Sequence, residues 1–221
     1  MTGALVLFAK TPGLSPVKTR LAADIGRAKA EAFYRHALAC IEELALDATQ
    51  LSHNTLIPYW AVGEQEGLGN PLWKNLNALW TGEGDLGERL AHIYATLLQQ
   101  HDHVILIGTD SPQLQPHALI EAHVFLATKT NAIIGPAADG GYYLFGGNMA
   151  YPKEMWLSVP YSTNTTCSIF IEKLKPYCAV TEMAHTFDVD TLDDLYKLKT
   201  HSYLLTRPKQ IKLAEWLGEN L

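Results

Sequence analysis

The sequence predicts one α/β domain of three layers, in which helices cover both faces of a mostly parallel central sheet. The 221 residues are 48% apolar and 18% charged, a composition that suits a single domain with a sizeable core. Residues 104–107 are four β-favouring apolar residues in a row, which is typical of a strand buried on both faces inside a parallel sheet. Such runs alternate with segments of helical periodicity. We therefore predict a single domain over 1–221, with 203–221 as an added helical segment.

Each element follows from a local pattern. Short apolar runs bounded by turn residues predict strands at 4–9, 55–62, 104–107 and 132–136, and after the turn at 139–141. Apolar residues at helical spacing predict helices at 30–45, 90–98, 116–128 and 162–174, after 191, and at 207–221, where the last packs on the domain or on a partner. Pro58 indicates an edge or a bulge. Residues 63–72 predict a loop, and 73–80 fit no single class.

The loop after the first strand carries a candidate anion site. Lys18, Thr19 and Arg20 open a predicted short helix, where free backbone N–H groups, the helix dipole and two cations point the same way. A solvated pair of cations is the alternative. Residues 13–19 also resemble a Walker A loop, but that loop needs a glycine before the lysine. Val17 stands there, after Pro16, which has no N–H to donate, so the sequence argues against a P-loop NTPase.

Two acidic residues lie where a ligand is expected. Asp110 follows the strand at 104–107, and open α/β sheets bind ligands beyond the carboxyl ends of their strands. A carboxylate there can hold a hard cation such as magnesium against phosphate oxygens. The alternative is that Asp110 only caps the helix starting near Pro116. Asp190 or Thr191 can likewise cap the final helix.

Two glycine-rich stretches are further candidates. Residues 82–90 contain three glycines that allow a close approach to a flat ligand, and the alternative is a turn with Asp85 as helix N-cap. Residues 139–141, Asp-Gly-Gly, predict a tight reversal between two strands. The hairpin alone does not explain why an acid and two glycines stand where a neighbouring strand ends near Asp110.

Composition argues against several classes of function. A net charge of −6 without a basic stripe argues against nucleic acid as the main partner. Three widely spaced cysteines without Cys-x-x-Cys fit reduced thiols. No apolar run approaches the roughly 20 residues of a membrane span, and the first apolar run lacks the basic flank of a signal peptide. No zinc cluster, nucleophile elbow or dinucleotide-binding motif is present. We predict a soluble, cytoplasmic protein without a membrane partner; a homodimer is compatible with the sequence.

The motifs together resemble those of the nucleotide-diphospho-sugar transferase superfamily, the GT-A-like fold. The likeness is closest to its uncharacterised selenodomain-associated or glycosyltransferase-like branch, whose cousins include the guanylyltransferases of molybdenum cofactor and of phospholactate. The matching motifs run in family order from 8 to 191: Phe8-Ala9-Lys10, Val17-Lys18-Thr19-Arg20-Leu21, Gly84-Asp85-Leu86-Gly87-Glu88-Arg89, Gly108-Thr109-Asp110-Ser111-Pro112, Gly135-Pro136, Asp139-Gly140-Gly141-Tyr142-Tyr143 and Asp188-Val189-Asp190-Thr191.

The resemblance implies a role for each candidate residue. Asp110 and Asp190 would bind Mg²⁺ (or Mn²⁺), and Lys18 and Arg20 would bind the donor phosphates, with Lys10 as a third cation of the same loop. The turn formed by Gly84, Asp85 and Gly87 would lie against the nucleobase or ribose. Asp139, Gly140 and Gly141 would face the acceptor, and Lys18, Asp110 and Asp139 would be the catalytic residues.

The predicted activity is metal-dependent transfer from a nucleotide donor to a small-molecule acceptor. We favour nucleotidyl transfer from an NTP to a phosphorylated acceptor, because a basic loop directly after the first strand suits a triphosphate. Glycosyl transfer from a nucleotide-sugar fits the same fold. A nucleotide-binding regulatory module without turnover is the third hypothesis.

Overall fold

The computed structural model describes residues 1–128 and 131–221, and this part of the chain forms one seven-stranded sheet. The strands are β1 (Gly3–Ala9), β2 (Leu56–Val62), β3 (Asn77–Trp80), β4 (His103–Ile107), β5 (Ala132–Pro136), β6 (Tyr142–Gly147) and β7 (Val180–Glu182). Their order is β3-β2-β1-β4-β6-β5-β7, and β6 is antiparallel to both of its neighbours while the other pairs are parallel. The predicted mostly parallel sheet is confirmed.

Helices cover both faces of the sheet. They are α1 (Thr19–Ile25), α2 (Arg27–Leu51), α3 (Leu86–Leu98), α4 (Pro116–Thr128), α5 (Lys153–Leu157), α6 (Thr166–Leu174), α7 (Leu192–Thr200) and α8 (Pro208–Asn220). Alternation along β1 divides the core: Leu5 and Leu7 pack with α2 and α4, whereas Ala4 and Val6 pack with α3, α5 and α6. A third cluster joins α1, α2, α7 and α8. The three-layer prediction is confirmed.

The structure differs from the sequence-based elements at several places, and one of them is strand β7, which was not predicted. The short helix α5 was not predicted, and α6 begins at Thr166 rather than 162, because Ser162 has a left-handed backbone (φ 61°) in a turn. The unclassified stretch 73–80 contains β3, while Trp73 packs on Trp60 with ring centres 5.0 Å apart. The edge that Pro58 indicates is local: β3 pairs with β2 only from Tyr59 onward.

The C-terminal helix packs on the domain itself. Leu213 and Leu217 of α8 are fully buried in the third cluster, and the Trp216 ring lies 6.2 Å from that of Phe33 in α2. Across 1–128 and 131–221, no helix combines the length and apolarity needed to cross a membrane.

A buried histidine pair lies at the amino end of the sheet, where β1 and β4 begin. His103 and His123 are both buried, and their ring nitrogens Nε2 and Nδ1 are 2.8 Å apart. Nε2 of His123 lies 2.9 Å from the Thr55 hydroxyl. A side chain at Gly3 would collide with the His103 ring, so glycine makes room for the pair.

Candidate active site

The carboxyl end of the sheet opens into a cleft of about 610 Å³. Because parallel strands end at the same edge, Lys10 after β1 and Asp110 after β4 meet there although they are far apart in sequence. The predicted site residues that line this cleft are Lys10, Lys18, Arg20, Asp110, Asp139, Gly141 and Asp190. The others, Gly84, Asp85, Gly87 and Gly140, are not among its lining residues.

Lys18 joins the two predicted metal ligands. Its ammonium donates to Asp110 Oδ1 at 2.5 Å, to Asp190 Oδ1 at 2.8 Å and to the carbonyl oxygen of Val189 at 2.6 Å. Burial acts to lower the pKa of Lys18, but the two carboxylates outweigh it and raise the pKa above its ordinary value. The ammonium therefore remains charged, although only 3% of the side chain is exposed.

The backbone of Lys18 is also unusual. Its φ and ψ are both 46°, in the left-handed region that non-glycine residues seldom adopt. The side-chain contacts of Lys18 to the loop at 189–190 and to Asp110 hold this conformation. Lys18 therefore precedes α1 as an anchored residue of the first loop, rather than as a solvated cation.

Asp188 adds a half-buried acid to which the sequence motif assigned no role. Its carboxylate accepts a hydrogen bond from the Ser111 hydroxyl and lines the cleft. Burial, followed by the nearby charges of Asp110, Asp139 and Asp190, raises the pKa of Asp188 to about 7. Asp188 thus lies within electrostatic range of three other carboxyl groups. The backbone N–H of Val189 donates to the carbonyl oxygen of Asp110 at 2.8 Å, which ties the two acidic loops together.

Two cations in the cleft are not neutralised. Lys10 and Arg20 are exposed, and neither side chain has an ion pair or a hydrogen bond within the part of the chain that the structure describes. The Tyr34 hydroxyl accepts from the Lys10 N–H at 2.9 Å and donates to the Lys10 carbonyl oxygen at 3.1 Å. This buried tyrosine, which sequence reasoning treated as core, fixes the backbone from which the Lys10 side chain enters the cleft.

The glycine-rich turn before α3 is organised by its own side chains. Asp85 is the N-cap of α3 and forms a capping box with Glu88, as the structural alternative predicted. Gly84 has φ 96°, and Gly87 lies where a side chain would press on the Tyr161 ring. Arg89 donates to the carbonyl oxygens of Gly84 and Gly63 and to the Thr81 hydroxyl. Leu86 and Arg89 line the cleft from this turn.

The Asp-Gly-Gly turn links β5 to β6, as predicted. Asp139 Oδ1 accepts from the backbone N–H of Gly141 at 2.8 Å, which stabilises the reversal. Gly140 has φ 89°, and a Cβ there would lie 2.0 Å from the backbone oxygen of Asn164. The glycine is therefore required for packing, whereas Asp139 and Gly141 line the cleft.

The residues at this edge fit a magnesium ion. Both Asp110 and Asp190 place one oxygen on the same ammonium, so their carboxylates converge on a common cation position. Their side chains are 44% and 40% exposed, so they remain accessible from the cleft. Within 1–128 and 131–221 no group of three or more ligating side chains is preassembled. Magnesium commonly binds one or two carboxylates together with substrate phosphates, and this arrangement matches that pattern.

Sequence reasoning alone did not find several features of the cleft. Four residues contact the site only because of how the chain folds: Tyr34, Arg89, Ser111 and Asp188. A local motif shows that these residues are present but not what they contact. Tyr142 and Tyr161 lie in its wall, and burial raises the pKa of both phenols.

The fold is the one that the motifs predicted, because solved structures of nucleotide-diphospho-sugar transferase-like proteins share it. A model of the family described as "Uncharacterized protein conserved in bacteria (DUF2064)" matches residues 47–163, and the chain belongs to that family. No functionally curated protein matches its sequence.

Solved structures show the fold over nearly the whole chain. A proposed nucleotide-diphospho-sugar transferase from Desulfovibrio desulfuricans superposes with a TM-score of 0.82 at 24% identity, covering 100% of this chain and 99% of the other. CMP:2-keto-3-deoxy-manno-octonic acid synthetase, complexed with CTP, has a TM-score of 0.56 at 13% identity, with coverage of 92% and 99%. The 4-diphosphocytidyl-2C-methyl-D-erythritol synthase from Anaerococcus prevotii has a TM-score of 0.55 at 12% identity, with coverage of 98% and 98%. At these identities the likeness concerns the fold.

Proposed function

We propose that this protein is a magnesium-dependent transferase that takes a nucleoside triphosphate as donor and transfers its nucleotidyl group to a small phosphorylated acceptor. One observation carries the proposal: unpaired cations (Lys10 and Arg20) line the same cleft as two converging carboxylates (Asp110 and Asp190), at the carboxyl edge of a mostly parallel sheet. Such an edge is where open α/β sheets bind ligands. The names of two structural neighbours, which include a synthetase complexed with CTP, support a nucleotide donor.

The two cations bind the phosphate chain. Arg20 presents a planar fork that can donate to two phosphate oxygens at once, whereas Lys10 acts as a point charge. Neither the Lys10 nor the Arg20 side chain has to give up an ion pair or hydrogen bond to bind phosphate, within the residues that the structure describes. An unpaired pair of cations in a protein of net charge −6 favours a ligand with several negative charges.

The carboxylates would hold the metal. Asp110 and Asp190 are the residues that would bind Mg²⁺, which when bound would neutralise phosphate charge and polarise the phosphorus–oxygen bonds. Ser111, through its bond to Asp188, and the Val189 N–H, through its bond to the Asp110 carbonyl, keep the two acidic loops in register. In the transfer, an acceptor oxygen forms a bond to the α-phosphorus, and the bond to the departing pyrophosphate breaks. Positioning and charge neutralisation carry this step, so it requires no covalent protein intermediate.

The other wall of the cleft suits the acceptor. Asp139 and Gly141 line the cleft beside Tyr142, on a different loop from Lys10 and Arg20. Asp139 already accepts from the Gly141 N–H with one oxygen, which fixes its carboxylate for contact with a polar acceptor group. We therefore propose that donor and acceptor bind to different loops.

Glycosyl transfer is a second candidate, because the neighbour with a TM-score of 0.82 is named as a proposed nucleotide-diphospho-sugar transferase. The charge of the donor separates the two. A triphosphate retains more negative charge than a nucleotide-sugar after binding one divalent ion, so the unpaired cations favour the triphosphate. We expect Mg²⁺ with a triphosphate to raise the melting temperature more than Mg²⁺ with a nucleotide-sugar at equal concentration. The reverse order would favour glycosyl transfer.

The decisive experiment measures turnover. The protein is incubated with Mg²⁺, each of the four common NTPs and a panel of phosphorylated small molecules, and pyrophosphate release is followed. The Asp110→Asn variant serves as the inactive control. Acceptor-dependent pyrophosphate release supports nucleotidyl transfer. Nucleotide binding without product over the whole panel would favour a regulatory module.

A further inference from the structure

The cation position between Asp110 and Asp190 is already filled by the protein itself. The Lys18 ammonium directs its donors to one oxygen of each carboxylate and to the Val189 carbonyl oxygen, with all three distances between 2.5 and 2.8 Å. Three acceptors satisfy the three N–H donors of an ammonium. The side chain has therefore no donor left for a phosphate in this arrangement.

A divalent ion cannot simply join this arrangement. An ion that bridges the two carboxylates would lie against an ammonium that is held by the same pair of groups, and two cations at such short range repel strongly in a partly buried site. One of them must move. The ammonium is attached to a flexible four-carbon chain, whereas the backbones of the two loops that carry the carboxylates are joined by the hydrogen bond from the Val189 N–H to the Asp110 carbonyl oxygen.

We propose that the Lys18 ammonium is the resident counter-ion of the Asp110–Asp190 site and that it leaves when a divalent metal binds there. This inference rests on the proposed function, because it takes both acids as the metal ligands. In the metal-free protein, Lys18 offsets the repulsion among clustered acids and holds the 189–190 loop on Asp110. Once displaced, the same ammonium is free to join Lys10 and Arg20 at the phosphates. Lys18 is thus a positioning residue before metal binding and a phosphate ligand afterwards.

The first test uses the metal alone. Mn²⁺ affinity is measured by electron paramagnetic resonance without nucleotide for the wild type, Lys18→Met and Lys10→Met. Lys18→Met removes the competitor and should bind Mn²⁺ at least about tenfold more tightly. Lys10→Met removes the same charge from the same cleft but breaks no contact with either acid, so its gain should be smaller, about threefold or less. Equal gains, or weaker binding by Lys18→Met, would overturn the inference.

A second test needs no substitution and covers the case in which Lys18→Met fails to fold. Lysine acetylation of the wild type by a water-soluble amine reagent is quantified by mass spectrometry, with and without Mn²⁺. Lys18 should be protected in the metal-free protein and gain reactivity when Mn²⁺ is added, whereas exposed Lys10 serves as the internal reference. Unchanged or lower reactivity of Lys18 relative to Lys10 would contradict the exchange.

The Asp110→Asn variant separates this inference from the function on which it rests. If Asp110→Asn loses Mn²⁺ binding but Lys18 neither competes nor becomes reactive, the exchange is wrong and the metal site stands. If Asp110→Asn binds Mn²⁺ as tightly as the wild type, both the exchange and the proposed metal ligands are wrong. Pyrophosphate release is measured separately and tests nucleotidyl transfer alone.

Discussion

The two ends of the sheet differ in their polar groups: those at the amino end are neutral and bonded to one another, and those at the carboxyl end are charged and line a cleft. At the amino end, the Thr55 hydroxyl donates to the Ser52 carbonyl oxygen at 2.7 Å, so it must accept from Nε2–H of His123. His123 then accepts at Nδ1 from Nε2–H of His103, and both rings are neutral. At the carboxyl end, two carboxylates bond to the Lys18 ammonium, a third acid lies beside them, and exposed cations line an open cleft.

The comparison distinguishes polar groups that stabilise the fold from polar groups that are available to bind a ligand. The histidine pair satisfies its hydrogen bonds within the chain, apart from the His103 Nδ1 lone pair, and serves to fill the space that Gly3 leaves. The acidic cluster holds more negative charge than its single bonded cation offsets, which costs stability unless a ligand compensates it. Substitutions at the two ends should therefore affect different properties.

The largest effect is expected for Asp110→Asn. The variant should lose transferase activity by about a thousandfold, because a group aimed at developing phosphate charge is lost. Its melting temperature without metal should change little, because removing one acid from the cluster relieves repulsion while Lys18 keeps Asp190 and Val189. Steady-state rates and thermal unfolding check both parts. Normal activity with reduced stability would make Asp110 a structural residue.

His103→Ala should show the opposite pattern. Deleting this buried ring leaves a cavity and takes the partner from His123 Nδ1, which should reduce the free energy of unfolding by about 3 kcal/mol. The activity per folded molecule should not change, since the pair lies at the far end of the sheet. His92→Ala, at an exposed position of α3, is the control and should cost less than about 0.5 kcal/mol. Denaturant unfolding measures both, and a loss of activity in folded His103→Ala would break the comparison.

The secondary structure was largely predictable because its signals are local. The helix Pro116–Thr128 and the strand Ala132–Pro136 have the bounds that periodicity and turn residues predicted. The helix Lys153–Leu157 was not predicted, because five residues are too few to show helical periodicity. The burial of Met155 and Trp156 stabilises it.

The site was predictable only in its location. That acids and cations follow parallel strands was enough to place them at one edge. The contacts of Lys18 span 92 and 172 positions, and the burial that raises the pKa of Asp188 comes from loops that meet only in the folded chain. No local pattern contains that information.

The pH dependence of stability should have opposite signs at the two ends. Burial, and then the neighbouring His123, lower the pKa of His103 to about 4 from 6.5. The unfolded chain therefore binds more protons between these values, and stability is lost as pH falls below about 6.5. The cost of His103→Ala should shrink by about 2 kcal/mol between pH 8 and pH 5.

Asp188 supplies the matched test at the other end. Its pKa is raised to about 7, so the folded state binds more protons than the unfolded chain above pH 3.8, and stability is lost as pH rises towards 7. The free energy of unfolding of metal-free Asp188→Asn, minus that of the wild type, should therefore be larger at pH 8 than at pH 5. Urea unfolding at both pH values measures how the effect of each substitution on the free energy of unfolding changes with pH. If the changes for His103→Ala and Asp188→Asn had the same sign, the two ends of the sheet would not differ as expected.

The smallest effect concerns the unpaired cations. Arg20→Ala and Lys10→Ala should each weaken binding of a nucleoside triphosphate about tenfold, or about 1.4 kcal/mol, and leave binding of the nucleoside nearly unchanged, because the cations contact phosphate and not base. Arg20→Ala should have the larger effect, since a guanidinium can hold two oxygens at once. The melting temperature should hardly move, because neither side chain has an internal partner to lose in the described part of the chain. Calorimetric titration with the triphosphate and with the nucleoside measures the change in each affinity. A parallel loss of nucleoside and triphosphate affinity would mean that the cleft had been disturbed as a whole, and it would remove the phosphate role from these residues.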